Sequence, residues 1–173
     1  MTIGQTNPNS CRLAVIVSRY NATITDQLLR GALDVAARRG WTADVWHAPG
    51  AFELPTLCDH ALATGRYHGA VTLGCIIRGE TSHDQHIAQA IAGGVVQVAL
   101  KRGKPVTLGV LTVNTPEQAS ARAGGAHGNK GADAMSALID TLGVISQSHA
   151  SNGHGPHTFT LCSTINDKAS GSV

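Results

Sequence analysis

A three-layer α/β/α fold built on a four-stranded parallel sheet is the fold class this sequence predicts. Two observations carry it. Four short, apolar, β-rich runs alternate with stretches whose apolar residues recur at helical spacing, the pattern of a parallel sheet covered on both faces. The chemically distinctive residues fall just after each run, beyond the carboxyl ends of the strands, where such sheets bind ligands. The 173 residues suit one domain with a real core. Apolar residues make up 42% and charged residues 14%, a globular rather than a disordered balance.

The first strand is Leu13-Ala14-Val15-Ile16-Val17. Ile24, Leu28, Leu29, Ala32, Leu33, Val35 and Ala36 then mark a helix that stops near Gly40. Residues 43–46 make a short second strand. Pro49-Gly50-Ala51-Phe52-Glu53 turns the chain into a helix over 54–63, closed by Gly65. The third strand spans 69–77. A long helix spans 83–102 and ends at Gly103; the Gly93-Gly94 pair inside it predicts close packing against a neighbour. The fourth strand spans 106–112. Thr115 starts a short helix with Pro116 at its first position, and the last helix runs from Asp133 to near Ser146. The expected division is an N-terminal extension over 1–12, one domain over 13–146 and a flexible polar tail over 147–173. His149, His154, His157 and Cys162 of that tail match no zinc module, so no metal site is expected.

Composition narrows the partners. Net charge is +2 and no lysine or arginine cluster appears, so neither nucleic acid nor an anionic membrane is expected. No apolar run approaches membrane-span length. The stretch from Met1 to Arg12 is polar and lacks the apolar core of a secretory signal. Cys11, Cys58, Cys75 and Cys162 form no C-x-x-C pair and read as free thiols of a reducing compartment, so cytoplasm is the expectation.

The most informative stretch runs from Gly74 through Cys75-Ile76-Ile77-Arg78-Gly79-Glu80-Thr81-Ser82 to His83. A strand ends in a glycine-bearing turn that delivers Thr81, Ser82 and His83 to a helix start. Ser82 and Gln85 have capping-box spacing, which makes Ser82 the N-cap and His83 the first helical residue. Free backbone N–H groups at a helix start bind anions. A lone histidine there is an ordinary capping or surface residue; beside an anion cradle it reads as a general base. The helix dipole disfavours a cation at that place while a bound phosphate favours one, so the balance stays open. Glu80 suits an anion cradle only through its backbone N–H. Arg122 reads either as a solvated residue of an Ala-rich helix or as a bidentate phosphate clamp. Lys130, between Asn129 and Gly131, is expected in a turn, solvated or facing a ligand. Tyr20 and Phe52 are core or ligand platforms, and Glu53 is a first-turn acid or a ligand contact. The dinucleotide fingerprint, P-loop, zinc-protease helix and nucleophile elbow are all missing.

Taken in order, Ser18-Arg19-Tyr20-Asn21, Pro49 to Pro55, Gly74 to His83, Gly109-Val110-Leu111-Thr112, Glu117-Gln118-Ala119, Arg122-Ala123-Gly124 and Gly128-Asn129-Lys130-Gly131 resemble the 6,7-dimethyl-8-ribityllumazine synthase family over about residues 12–146. The resemblance implies a flavodoxin-like fold and a cofactor-independent transferase of riboflavin biosynthesis. That family joins 5-amino-6-(D-ribitylamino)uracil to 3,4-dihydroxy-2-butanone 4-phosphate, releasing phosphate and water. It puts Tyr20 at the ring-stacking position and Asn21, Ala51, Glu53, Ile76 and Ile77 around the ribityl chain and ring edge; Phe52, in the same matching stretch, is expected among the substrate-binding residues. Glu80 and Thr81 fall on the phosphate turn, His83 on the proton-transfer residue, Arg122 on the phosphate-binding arginine and Lys130 on the lysine near the uracil. Arg122 and Lys130, with Leu108, are implied to reach in from the adjacent subunit of a pentamer or an assembly of pentamers. Three positions depart from the family: Tyr20 where Phe or Trp is commoner, Leu108 where a Phe is often offered, and Asp84 where an aromatic commonly follows the histidine. The competing expectation is a flavin- or lumazine-binding oligomer with little turnover.

Overall fold

The computed structural model describes residues 11–150, and side chains through residue 147. Four strands form one sheet: β1 (Arg12–Ser18), β2 (Thr42–Ala48), β3 (Gly69–Ile77) and β4 (Val106–Val113). The spatial order is β2-β1-β3-β4 and every pairing is parallel. Helices α1 (Ala22–Arg38), α2 (Leu54–Ala63), α3 (His83–Arg102), α4 (Pro116–Arg122) and α5 (Lys130–Ala150) alternate with them. A small antiparallel hairpin, β5 (Ala123–Gly125) with β6 (Gly128–Asn129), precedes the last helix.

Side-chain alternation along the strands builds two cores. Leu13, Val15 and Val17 of β1, with Val71, Leu73 and Cys75 of β3, pack against Leu28 and Ala32 of α1 and Met135 and Leu138 of α5. Ala14, Ile16 and Ala70 point the other way, onto Leu54, Cys58, Ala61 and Leu62 of α2 and Val98 of α3. Period-two exposure of opposite faces is what sorts these residues, so β1 and β3 are mostly apolar, and the one buried hydroxyl inside β3, Thr72, donates to the Thr107 carbonyl at 3.1 Å. The three-layer α/β/α class is as the sequence predicts, and the strand order is the flavodoxin-like one. On the second face, Asp59 of α2 accepts from Arg102 Nε at 2.7 Å and Arg102 Nη2 at 2.8 Å, with Lys101 Nζ at 3.1 Å. These cations hold the Asp59 carboxyl down at about 2 and tie α2 to α3. At Gly94 the glycine pair does what close packing requires: a Cβ there would meet the ring of Pro55 on α2. Gly93 faces open space.

Two elements differ from expectation. The final helix runs from Lys130 to Ala150, beginning three residues before Asp133 and continuing past Ser146 into the start of the expected tail, and Lys130 is therefore a helical residue and not a turn residue. Asn129 explains the early start. Its Oδ1 accepts from the N–H groups of Gly131 at 2.9 Å and Ala132 at 3.1 Å, capping α5. Its Nδ2 donates to the Gln27 carbonyl of α1 at 2.8 Å and to that of Ala123 at 3.3 Å. The β5–β6 hairpin is the second difference; runs of three and two residues carry no readable periodicity. The tail over 151–173 lies outside the described residues, as do the side chain of His149 and the residues His154, His157 and Cys162. Cys11, Cys58 and Cys75 are free. Among the described residues no helix is long and apolar enough to cross a membrane.

Candidate active site

The carboxyl ends of β1, β2 and β3 open onto a cleft of about 380 Å³, a size that suits a small organic ligand. The chain turns out of β1 through Ser18, whose Oγ accepts from the Tyr20 N–H at 3.1 Å. Asn21 follows in the left-handed region, φ 59°, a conformation asparagine tolerates better than most residues. From there its carbonyl accepts from Ile24 and Thr25 and starts α1, while its Nδ2 donates to the Cys75 carbonyl at 2.9 Å. That bond pins the β1 loop to the end of β3. Asn21 Oδ1 remains available to accept from a ligand. Tyr20 is 71% exposed and Phe52 60% exposed, so both are rim platforms and not core residues.

The second wall comes from the turn after β2. Gly50, Ala51, Phe52 and Glu53 line the cleft, and Glu53 is the N-cap residue of α2. Its carboxylate folds back over Gly50, where any Cβ would crowd Oε2. Ile76 and Ile77 supply the apolar floor at the end of β3. Cys75 also lines the cleft, and burial pushes its thiol up to about 11, so it offers no thiolate at neutral pH.

The third wall is the turn into α3, with Gly79, Thr81, His83, Asp84 and Ile87. Ser82 is the N-cap residue as its spacing predicts, but the capping-box bond is not made: no side chain caps α3. The Ser82 carbonyl instead accepts from Gln85 at 3.1 Å and His86 at 3.5 Å. No side-chain cap takes the N–H groups of His83 and Asp84 at the start of the helix. His83 is exposed to the cleft.

Glu80 is exposed and is not part of the cleft wall. Leu108 is 46% exposed on β4, the edge strand, away from the cleft. Arg122 and Lys130 are also elsewhere in the same chain. Arg122 closes α4, its Nη1 donating to the Gln118 carbonyl at 3.1 Å. Lys130 pairs with Asp133 at 2.7 Å within the first turn of α5. The hairpin brings the two cations to one end of the fold, since Ala123 next to Arg122 pairs with Asn129 next to Lys130. Sequence reasoning missed Gly50, Cys75, Gly79, Asp84 and Ile87 as cleft residues. Ile87 was discoverable, lying four residues after His83 on one helix face. A larger recess of about 760 Å³, lined by Cys11, Trp41, His68 and Lys104 among others, lies at the opposite, amino-terminal end of the sheet. It gathers strand starts and helix ends, the side where such sheets do not bind ligands, so the smaller cleft is the candidate site. Among the described residues no group of three or more His, Cys, Asp or Glu is placed to hold a metal ion.

Comparison with known proteins identifies a family. The family described as 6,7-dimethyl-8-ribityllumazine synthase matches residues 10–146. A 6,7-dimethyl-8-ribityllumazine synthase of Sulfurovum sp. is 46% identical over 138 residues, covering 78% of this chain and 88% of that one. The protein of the same name from Anaeromyxobacter sp. is 44% identical over 137 residues, covering 78% and 85%. That from Xanthomonas euvesicatoria is 41% identical over 145 residues, covering 82% and 94%. Among solved structures, a GDSL-like lipase from Bacteroides thetaiotaomicron aligns with a TM-score of 0.38 at 10% identity over 86% of this chain and 69% of that one, too loosely to bear on function.

Proposed function

The chain belongs to the 6,7-dimethyl-8-ribityllumazine synthase family, and from that membership we propose which of its residues do the work. It is an enzyme of riboflavin biosynthesis that condenses 5-amino-6-(D-ribitylamino)uracil with 3,4-dihydroxy-2-butanone 4-phosphate. The observation that carries the residue assignment is convergence. Tyr20 and Asn21 after β1, Ala51 to Glu53 after β2, Ile76 and Ile77 at the end of β3, and Thr81 and His83 beyond it share one cleft, although their sequence positions span more than sixty residues.

In this reading Tyr20 stacks on the pyrimidine, and Asn21 and Glu53 hold polar groups of the ribityl chain and ring edge. Phe52, Ala51, Ile76 and Ile77 close the apolar side. The turn through Glu80 and Thr81 and the uncapped start of α3 bind the phosphate through backbone N–H groups. Attack of the amine on the ketone, loss of water, elimination of phosphate and ring closure each move a proton at a different atom. His83, at the cleft and beside the anion cradle, shuttles them. Holding two substrates in register supplies much of the rate. The test is to incubate the protein with both substrates and follow lumazine absorbance together with released phosphate. Tight flavin or lumazine binding without turnover would favour a binding oligomer instead. His83→Ala is expected to lower kcat by on the order of tenfold to a hundredfold with substrate binding nearly intact, because positioning survives. An unchanged kcat removes His83 from the mechanism.

The same reading makes the active protein a cytoplasmic homo-oligomer, a pentamer or an assembly of pentamers, in which the neighbour's Arg122, Lys130 and Leu108 complete each cleft. Two features support it. The chain's own cations sit together away from its own cleft. Val96 and Leu100, four residues apart on α3, and Leu108 on β4 leave large apolar side chains exposed, as a subunit contact requires. Mixed oligomers of His83→Ala and Arg122→Ala chains test the sharing. With random assembly roughly one heterologous junction in four pairs two wild-type residues, so the mixture should exceed either pure mutant. Activity at the average of the two, with co-assembly verified, places the site within one chain.

A further inference from the structure

The recess at the amino-terminal end of the sheet has no task in the reading above. Its volume is about 760 Å³, against about 380 Å³ for the cleft. Trp41, Tyr67, Pro105, Ile139, Leu142 and Ile145 give it an apolar lining. Gly40, Gly65 and Gly103 line it too, and a Cβ added at any of the three would meet nothing within 4 Å. No side chain of the described residues therefore fills the space beside them. An apolar hollow of this kind marks a surface that another group covers. A substrate is the wrong occupant, because such sheets take their ligands at the other end.

The chain brings a better candidate to the rim. The last turns of α5 line the recess through Leu142, Ile145 and Ser146, and the helix ends at Ala150. Residues 151–173 follow. Asn152-Gly153 and Gly155-Pro156 are turn-forming pairs, suited to reversing the chain after a helix. Beyond them Thr158-Phe159-Thr160-Leu161 alternates polar with large apolar residues, a pattern that puts Phe159 and Leu161 on one face of an extended segment. The stretch from Ala150 to Phe159 spans up to about 30 Å. The helical stretch from Ile145 to Ala150 advances only about 7.5 Å, so the return is well within reach. Residues 1–10 also lead out of the recess, since Cys11 lines it, but their large apolar residues are only Met1 and Ile3.

We propose that the carboxy-terminal tail folds back onto its own chain and seats Phe159 and Leu161 in this recess. It closes the hollow between α5 and the residues that lead into β2, β3 and β4, namely Trp41, His68 and Pro105. Burial of two large apolar side chains offsets the entropy lost in ordering a short segment. The family match ends at residue 146, and the docked tail acts apart from the cleft.

Cys11 is the natural probe. It lines the recess and is half-buried, whereas Cys58 and Cys75 are buried in the core. The full-length chain is alkylated with iodoacetamide and modification of Cys11 is followed by peptide mass mapping. The rate should be about tenfold higher in Phe159→Ser/Leu161→Ser than in the wild type, since release of a docked segment uncovers the thiol. Oligomer mass should not change. In oligomers reassembled from wild-type and isotope-labelled variant chains, each Cys11 should react at the rate set by its own chain's tail. Equal rates in the wild type and the variant overturn the proposal. So does protection that Ile3→Ser abolishes and the tail variant keeps, which gives the recess to the amino-terminal segment. Equal rates for the two chains of a mixed oligomer, or a loss of oligomer mass in the variant, give it to a second copy and overturn docking within one chain.

Discussion

Replacing Arg122 by alanine is expected to raise KM for 3,4-dihydroxy-2-butanone 4-phosphate by on the order of a hundredfold, while KM for the pyrimidine moves only a few-fold. The argument starts from what the guanidinium does in the chain. It ends α4 and gives one hydrogen bond, at 3.1 Å, to the Gln118 carbonyl in its own helix. Among the described residues no carboxylate pairs with it. Lys130, by contrast, is neutralised by Asp133. Arg122 thus keeps a planar fork of donors ready for a phosphate, the geometry in which two parallel charge-assisted bonds form at once. Inorganic phosphate should compete with the butanone phosphate in the wild-type protein and inhibit the variant less. Steady-state kinetics with each substrate varied in turn decides it. Equal weakening toward both substrates would contradict a phosphate role.

Gly131→Ala is the substitution expected to damage the fold most, by about 3 kcal/mol, with a fall in melting temperature of up to about 10 °C. A Cβ at residue 131 would run into the backbone of Leu28 on α1, its carbonyl oxygen first. Backbone cannot swing aside as a side-chain end can, so α1 and α5 would have to part. The same helix holds its own control. Gly143 has nothing within 4 Å of an added Cβ, and Gly143→Ala should be neutral or stabilising by up to about 1 kcal/mol. Thermal and urea unfolding of the two variants compares them directly. If Gly131→Ala melts with the wild type, the close approach of α5 to α1 is wrong.

Much of the sheet was legible because its strands are buried on both faces. A run such as Leu13 to Val17 has no polar break, and the third strand was bounded by Gly69 and Ile77 in sequence as in structure. The cleft was legible for a related reason: its residues sit in the turns after those strands, so locating the strands located Tyr20, Phe52 and His83. What escaped was set by single side chains. Asn129-Lys130-Gly131 reads as a turn because glycine and asparagine dominate it. It is a helix start because one amide caps two N–H groups and reaches back to α1. At Ser82 the spacing gave the position of the cap and not its chemistry, since the hydroxyl makes no cap bond. At Asp84 the sequence showed only an acid where the family commonly has an aromatic; the burial of one of its oxygens is set by tertiary packing. The position of Arg122 outside the cleft of its own chain was implied by the family resemblance and not by any local pattern, since it reflects tertiary geometry.

Asn129 has a further consequence, for motion. Its side chain bonds at once to α1, to the strand after Arg122 and to the start of α5, joining positions 102 residues apart. Surface hairpins this short ordinarily open on their own, and their amide hydrogens exchange with solvent at low free-energy cost. This one cannot open without releasing the carbonyl of Gln27 and the first turn of a core helix. The amides of Gly131 and Ala132 should therefore exchange with the slowest class of the domain rather than with its loops. Arg122 and Lys130 then ride on a part of the protein as rigid as its interior, and little ordering entropy is lost when a ligand arrives.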